Sequence, residues 1–404
     1  MLPTPSSPAL PAATPRAGLV LLALAMGGFA IGVTEFSAMA VLPDFARGLG
    51  IDAPTAGHVI SAYALGVVIG APLIAVLGAR LPRRTLLIGL MALFAVGNAL
   101  SALAPTYGWM LAFRFLSGVP HGAYFGVAAL VATSVAAPGR RTQAVARVMM
   151  GLTIATVIGV PMAKAVSLTL GWRWTFAIVS ALALLTMALV YKLAPKDQPQ
   201  PSASPWRELG ALKERQVWLT LGIGAIGFGG MFAVYAYLAS TMTEVTGAAP
   251  QAVTFALAAF GLGMTLGNLV GAWAADRAQM PAAAWLLLWS AGSLALYPLA
   301  AGQLWSLIVV IFMIGCRGGL ASVLQTRLMD VAGEAQTLAA ALNHSAFNMA
   351  NAIGPWLGGM AIAAGYGWTS TGYVGSALAL GGLVIWVVAV LDARTQQRPA
   401  PALG

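Results

Sequence analysis

Residues 194–214, APKDQPQPSASPWRELGALKE, form the one long polar interruption in the chain. Proline, serine and charge at that density mark a loop rather than a packed segment, so the stretch reads as a linker between two units. On either side the sequence is a succession of apolar runs of about 20 residues, the length that crosses a hydrocarbon core of about 30 Å. The 404 residues are 59% hydrophobic and only 8% charged, against roughly a quarter charged in a soluble domain. This is an integral membrane protein. Helical spans are expected at 17–42, 54–79, 84–104, 108–134, 143–169 and 172–193 before the linker. After it they are expected at 215–240, 250–275, 281–301, 304–327, 336–363 and 368–391. The expected fold is therefore all-α, with twelve transmembrane helices in two pseudo-symmetric six-helix bundles, 17–193 and 215–392. A disordered N-terminal tail at 1–16 and a C-terminal tail at 393–404 flank them.

Charge placement orients the chain. Alternating the loops gives one side Arg16, Arg80, Arg83, Arg84, Arg140, Arg141, Arg147, Lys192, Lys196, Arg207, Lys213, Arg215, Arg277, Arg327, Arg394 and Arg398, and the other side only Arg47 and Arg173. By the positive-inside rule the linker and both termini are expected in the cytoplasm, with the chain in the bacterial inner membrane. Trp109, Trp172, Trp174, Trp305 and Trp368 fall at the opposite helix ends, as an interfacial aromatic belt requires. The net charge of +10 is thus a topology signal, and no nucleic-acid module accompanies it. The Pro/Ala/Ser/Thr tract at the N-terminus lacks the pattern of a cleavable signal. A single cysteine, Cys316, excludes an intrachain disulfide.

The two halves echo each other. Tyr63, Gly66, Gly70 and Arg80 shift by 197 positions onto Phe260, Gly263, Gly267 and Arg277, and Gly118 onto Gly315. Further on, Thr142 and Gly159 match Thr337 and Gly354 at an offset of 195. Such an offset in one orientation indicates a duplicated six-helix unit. Arg80, Arg83 and Arg84 with Leu77 resemble the loop motif between helices 2 and 3 of major facilitator transporters. Arg114 and Gly118 resemble the helix-4 motif of that superfamily, Gly159 with Pro161 its helix-5 antiporter motif, and Gly354 with Pro355 a second copy in helix 11. The Thr34-Glu35-Phe36 step before Leu42-Pro43, with Arg114–Gly118 and Pro120-His121-Gly122, is similar to the twelve-helix drug:proton antiporter family. Within that family the likeness is greatest to arabinose-type sugar efflux permeases and related drug exporters. One position departs from the pattern: the loop motif's acidic residue is Ala79 in the first half, whereas the second half keeps Asp276. That departure puts the first-half latch of the motif in question.

Charges at membrane depth are costly and so are candidates for function. Counting about 1.5 Å per residue from the helix ends places Glu35, Arg114 and Lys164 in one layer, about 9–11 Å below the outer surface. Glu35 is the expected proton-coupling carboxylate, with Arg114 and Lys164 as its gating or charge partners. A permanent helix-to-helix bridge to Arg114 is the structural alternative, and Lys164 has the reach to snorkel outward. His121, seven residues beyond Arg114, lies on the same helical face and suits a proton relay; an interhelical hydrogen bond is its other reading. In the second half, His344, Asn348 and Asn351 make a polar stripe at i, i+4 and i+7. Arg317 joins them as a candidate for the substrate cavity, with Tyr235 and Tyr237 as further contributors. The same stripe would also be satisfied by bonding to Asn268 of the eighth span.

Nothing in the sequence binds ATP or builds a nucleophile, so an enzyme is not expected. Three histidines without ligand spacing give no metal site, and no cofactor is expected beyond the proton as coupling ion. The expected function is proton-coupled export of a small organic solute, drug or sugar-like, by alternating access. Import or uniport by the same fold is the alternative, and a membrane enzyme or receptor a remote one. The expected partners are the small-molecule substrate, protons and the lipid bilayer, with no nucleic acid and the protein acting as a monomer.

Overall fold

A computed structural model describes residues 17–51, 53–196, 205–249 and 251–396, and among them every regular element is helical. The tails with Arg16 and Arg398, and the Pro/Ser-rich centre of the linker, lie outside the described residues. Helices are the natural outcome of such a sequence, because in lipid each backbone N–H and C=O must be satisfied within its own segment. The first bundle comprises α1 (Ala17–Ala40), α2 (Ala53–Leu77), α3 (Arg83–Leu103), α4 (Tyr107–Ser134), α5 (Arg141–Thr169) and α6 (Trp172–Leu193). The second begins with α7 (Arg215–Glu244). One continuous run follows, Ala252–Ala300, of 49 residues. At about 1.5 Å per residue it would be about 73 Å long, twice a bilayer. It turns back at Ala278 (φ −154°, ψ 82°) and is two spans, α8 (252–277) and α9 (279–300). Then come α10 (Leu304–Val331), α11 (Gln336–Ala361) and α12 (Ser370–Gln396).

Several helices are interrupted, each for a local reason. α5 widens into a π-helical turn at Ala155–Gly159, where the Val160 N–H reaches the Ala155 carbonyl. Pro161 has no N–H to offer the preceding turn, and the ladder shifts register around the gap. α7 breaks at Phe228 between Arg215–Gly227 and Gly229–Glu244. α10 tightens into a 3₁₀ turn at Cys316–Gly318. α11 runs through Pro355 and ends in a π turn, Ile362–Tyr366. After α1 the chain continues as a short outer helix, Leu42–Leu49, with proline in its first turn, where a missing N–H is harmless.

The repeat is repeated in backbone contacts. A Cβ at Gly66 would collide with the Phe115 carbonyl, and one at Gly118 with the Tyr63 carbonyl, so α2 and α4 touch backbone to backbone. At the offset of 197, Gly263 meets the Phe312 carbonyl and Gly315 the Phe260 carbonyl, sealing α8 to α10 in the same way. Small residues let membrane helices approach to this distance.

The bundles join mainly at the face that carries the linker. Arg141 pairs with Asp330 at 2.9 Å, and Asp276 accepts the Thr142 N–H at 2.7 Å and the Gln143 N–H at 3.1 Å. Deeper in, Asn268 Nδ2 donates to the Ala146 carbonyl at 2.7 Å. Asn268 thus ties α8 to α5 and to Ser322 (2.6 Å) rather than to the α11 stripe.

Candidate functional site

A narrow cavity of about 50 Å³ lies where the bundles meet, lined from α1, α4, α5, α7, α8, α10 and α11. Its polar wall is Glu35, His121, Thr153, Asn268, His344 and Asn348, and its apolar wall includes Phe36, Phe228, Phe232, Phe347, Met149, Met231 and Met264. Larger apolar grooves, between α1 and α5 and between α8, α9 and α10, open on the flanks, where Leu and Trp side chains face lipid.

Glu35 faces the cavity within the electrostatic field of Arg114. The two do not form the direct bridge that the sequence left open. Arg114 Nη1 donates to Thr34 Oγ1 at 2.9 Å and Nη2 to the Thr34 carbonyl at 3.4 Å, while Thr34 Oγ1 donates to Asn98 at 2.7 Å. The guanidinium sits over the Tyr63 ring at 4.4 Å and the Phe176 ring at 5.3 Å. Arg114 is thus buried and held next to the carboxylate's own helical turn, supplying charge without contact.

Tyr63 carries the chain onward. Its hydroxyl lies 2.8 Å from His121 Nδ1, and His121 Nε2 lies 3.2 Å from His344 Nδ1. His344 stacks on Phe125 with ring centroids 4.3 Å apart, and its carbonyl accepts Asn348 Nδ2 at 2.9 Å. Two neutral imidazoles joined in this way must adopt matched tautomers. If Tyr63 donates to His121, then His121 donates to His344 and His344 Nε2 carries a hydrogen; in the reverse order, Nε2 carries a lone pair. Either way the buried Nε2 of His344, at the wall of the cavity, has no partner among the described residues.

Five residues stand elsewhere than the sequence suggested. Lys164 is not a partner of Glu35: its Nζ pairs with Asp44 Oδ2 at 2.8 Å, joined there by Ser167 Oγ at 2.7 Å, while Arg47 reaches Oδ1 at 2.8 Å. Asp44 stands in the first turn of the short helix that follows α1 after a bend at Val41, beyond the end of the span, which depth counting along α1 alone could not reveal. Burial raises the Asp44 carboxyl, but the bonds from Lys164, Ser167 and Arg47 outweigh it and hold the group below the usual carboxylate range. Arg317 does not line the cavity. It donates to the Gly227 carbonyl at 3.1 Å, Ser290 Oγ at 3.3 Å and the Phe228 carbonyl at 2.8 Å, clamping the break in α7. Asn351 lies outside the cavity wall, a further turn along α11. Neither tyrosine of α7 lines it: Tyr235 packs on Phe260 and edge-on against Phe36, and Tyr237 donates to the Pro355 carbonyl at 3.0 Å.

The loop-motif residues divide by role. Asp276 caps α5, whereas Arg277 bonds the Trp273 carbonyl and stacks on that ring, and Arg84 turns to Tyr191 of α6. Gly354 packs on the Gly229 carbonyl at the α7 break, and Gly159 on Val33 of α1. Residues missed by sequence reasoning are Asp44, Tyr63 as the His121 partner, and the phenylalanines and methionines of the apolar wall. Of these, Tyr63 had left a signal as a member of the repeat, and Phe36 as part of the Thr34-Glu35-Phe36 step.

Two six-helix sets in the same orientation, with kinked helices around a central, partly polar cavity and charges buried between them, define a secondary transporter of small solutes. The chain belongs to the major facilitator superfamily, whose family model matches residues 24–241 and 220–403. It is 39% identical over 377 residues to the inner membrane transport protein YdhP of Escherichia coli (strain K12), covering 93% of this chain and 96% of the relative. It is 34% identical over 348 residues to a chloramphenicol resistance protein of Streptomyces lividans, covering 83% of this chain and 87% of the relative. The Escherichia coli fucose:proton symporter FucP shares the fold with a TM-score of 0.74 at 15% identity, over 92% of this chain and 98% of that one. The protein is accordingly a multi-pass membrane transporter of small solutes and not an enzyme.

Proposed function

We propose that the chain exports a small, largely apolar organic solute bearing one polar or cationic group, in exchange for protons. The observation that carries this reading is Glu35: a carboxylate in the central cavity, near a fixed guanidinium whose hydrogen bonds are committed to Thr34. Such a group is free to exchange a proton or a cationic ligand, which a bridged one is not. Phenylalanine and methionine on the opposite wall favour an apolar body over a sugar, which would need most of its hydroxyls satisfied. His344 Nε2 offers the remaining polar contact, and the Tyr63–His121–His344 chain provides a route for a proton between the bundles. Export is favoured by the helix-5 motif and by the resistance named for the Streptomyces relative. With the basic linker face in the cytoplasm, the arrangement described here is closed to the cell interior.

The test is flux in proteoliposomes under an imposed pH gradient. A thermal-shift screen over chloramphenicol, lipophilic dyes and sugars first selects the probe, since a ligand at 100 times its Kd adds about 2.7 kcal/mol to apparent stability. Glu35→Gln is expected to abolish gradient-driven accumulation while leaving solute exchange across the membrane. Wild-type gradient dependence in that variant would overturn the role of Glu35.

A further inference from the structure

The missing acid at Ala79 has a replacement, and it comes from the linker. In the second half, Asp276 at the end of α8 accepts hydrogen bonds from the Thr142 and Gln143 N–H groups at the start of α5, on the opposite bundle. First-turn N–H groups have no intrahelical acceptor, and their combined dipole attracts a carboxylate. Applying the repeat offsets turns Asp276 into Ala79, and Thr142 and Gln143 into Thr337 and Leu338 at the start of α11. Alanine has no acceptor to offer. The start of α11 is nevertheless capped: Glu208 Oε2 accepts the Leu338 N–H at 2.9 Å, and Thr337 bonds the same carboxylate.

Glu208 closes the short linker helix Pro205–Glu208, which runs into a 3₁₀ turn, Leu209–Lys213. The residue is buried, 7% exposed, with Arg83 of the first bundle's loop contributing favourable charge. Immediately after it, Leu209 and Ala211 pack in one apolar cluster with Ala71, Ala75 and Val76 of α2 and Leu338 of α11. Arg207 pairs with Glu334 just before α11 at 3.1 Å. The described part of the linker therefore grips α2 of one bundle and α11 of the other.

We infer that Glu208 is a positioning residue of the transport cycle: the linker supplies the latch that Ala79 cannot, and its release from α11 is a condition for opening the linker face. The linker is then a gate component, not a tether. This assignment stands on the transporter fold alone and is independent of the coupling ion and the solute.

The experiment follows the linker-face opening directly. In the full chain with Cys316→Ser, a single cysteine at Ala75→Cys, buried under the linker, is labelled with a maleimide in inside-out vesicles. Glu208→Ala is expected to raise the labelling rate on the order of tenfold, the effect of removing one helix cap, and Glu208→Gln, which keeps an acceptor oxygen but loses the charge, by a factor of about two to three. The double variant Glu208→Ala with Ala79→Asp restores the carboxylate from the position used in the other half and is expected to return labelling towards the parent rate. Elution as a folded monodisperse species is checked for each variant, and Glu208→Gln keeps the side-chain volume if the alanine form does not fold. Labelling at the parent rate in a folded Glu208→Gln variant overturns the inference. So does a folded double variant that labels as fast as Glu208→Ala.

Discussion

Replacing Arg317 with methionine, similar in length and without charge, separates a clamp from a ligand contact. Its guanidinium holds the Gly227 and Phe228 carbonyls at 3.1 and 2.8 Å, with a weaker contact to Ser290 at 3.3 Å. It also lies over the Phe228 ring at 4.0 Å. Hydrogen bonds from a charged donor contribute about 1.5–3 kcal/mol each, and a buried acceptor left unpaired costs about 1–3 kcal/mol. Against this stands relief from burying the guanidinium, whose Nε already lacks a partner among the described residues. Together these give a net loss of about 2–5 kcal/mol. The assay is the melting of purified protein in detergent, followed by size-exclusion chromatography, alongside ligand affinity for the fraction that remains folded. Arg317→Met should melt several degrees lower with affinity little changed. Arg317→Lys should fall between, since an ammonium cannot reproduce the planar fork that reaches both carbonyls. If Arg317→Met melts like the parent while affinity drops roughly tenfold, equivalent to about 1.4 kcal/mol, the clamp is refuted.

Gly267→Ala places a Cβ on the Cys316 carbonyl, and because backbone cannot yield as a side chain can, the cost should exceed the usual ~1–3 kcal/mol of overpacking; little folded protein should be recovered, whereas Gly89→Ala, with open space around it, should express as the parent. Asp44 is held below its ordinary range by Lys164, Ser167 and Arg47, so its contribution is present above the unfolded value of about 3.9 and is lost as pH falls through the folded one. Asp44→Asn should therefore melt below the parent at pH near 7, and the gap should close in strongly acidic buffer. A gap that widens on acidification would show the sign to be wrong.

The spans and the duplication were legible because lipid leaves the backbone few choices and because Gly66, Gly118, Gly263 and Gly315 stand at backbone contacts that admit no side chain. Glu35 and Arg114, expected near each other, do lie close enough to interact electrostatically. Rotation about the helix axis was not legible. Asn351, Tyr235 and Tyr237 sit at plausible depths on faces that miss the cavity. Partner choice was harder still, since the partner of Lys164 is Asp44, in the short helix beyond the end of α1. The sequence does not separate Arg317 from a cavity residue, because the break at Phe228 has no proline to announce it; it lies within a run of glycines, 222–230, of which none by itself marks the bend. Glu208 escaped notice because a linker gives no periodicity against which one residue stands out.

The glycine seams also decide where the molecule can bend. With α2 fused to α4 and α8 fused to α10 along their backbones, each half contains a welded spar that cannot shear without losing contact along its length. The 3₁₀ turn of α10 lies inside its seam, so strain from any change of shape must then collect in the interrupted members outside the seams: α5 at Ala155–Gly159, α7 at Phe228 and α11 at Ile362–Tyr366. A reporter meant to sense motion belongs on those three members, and one meant to serve as a fixed reference belongs on the spars.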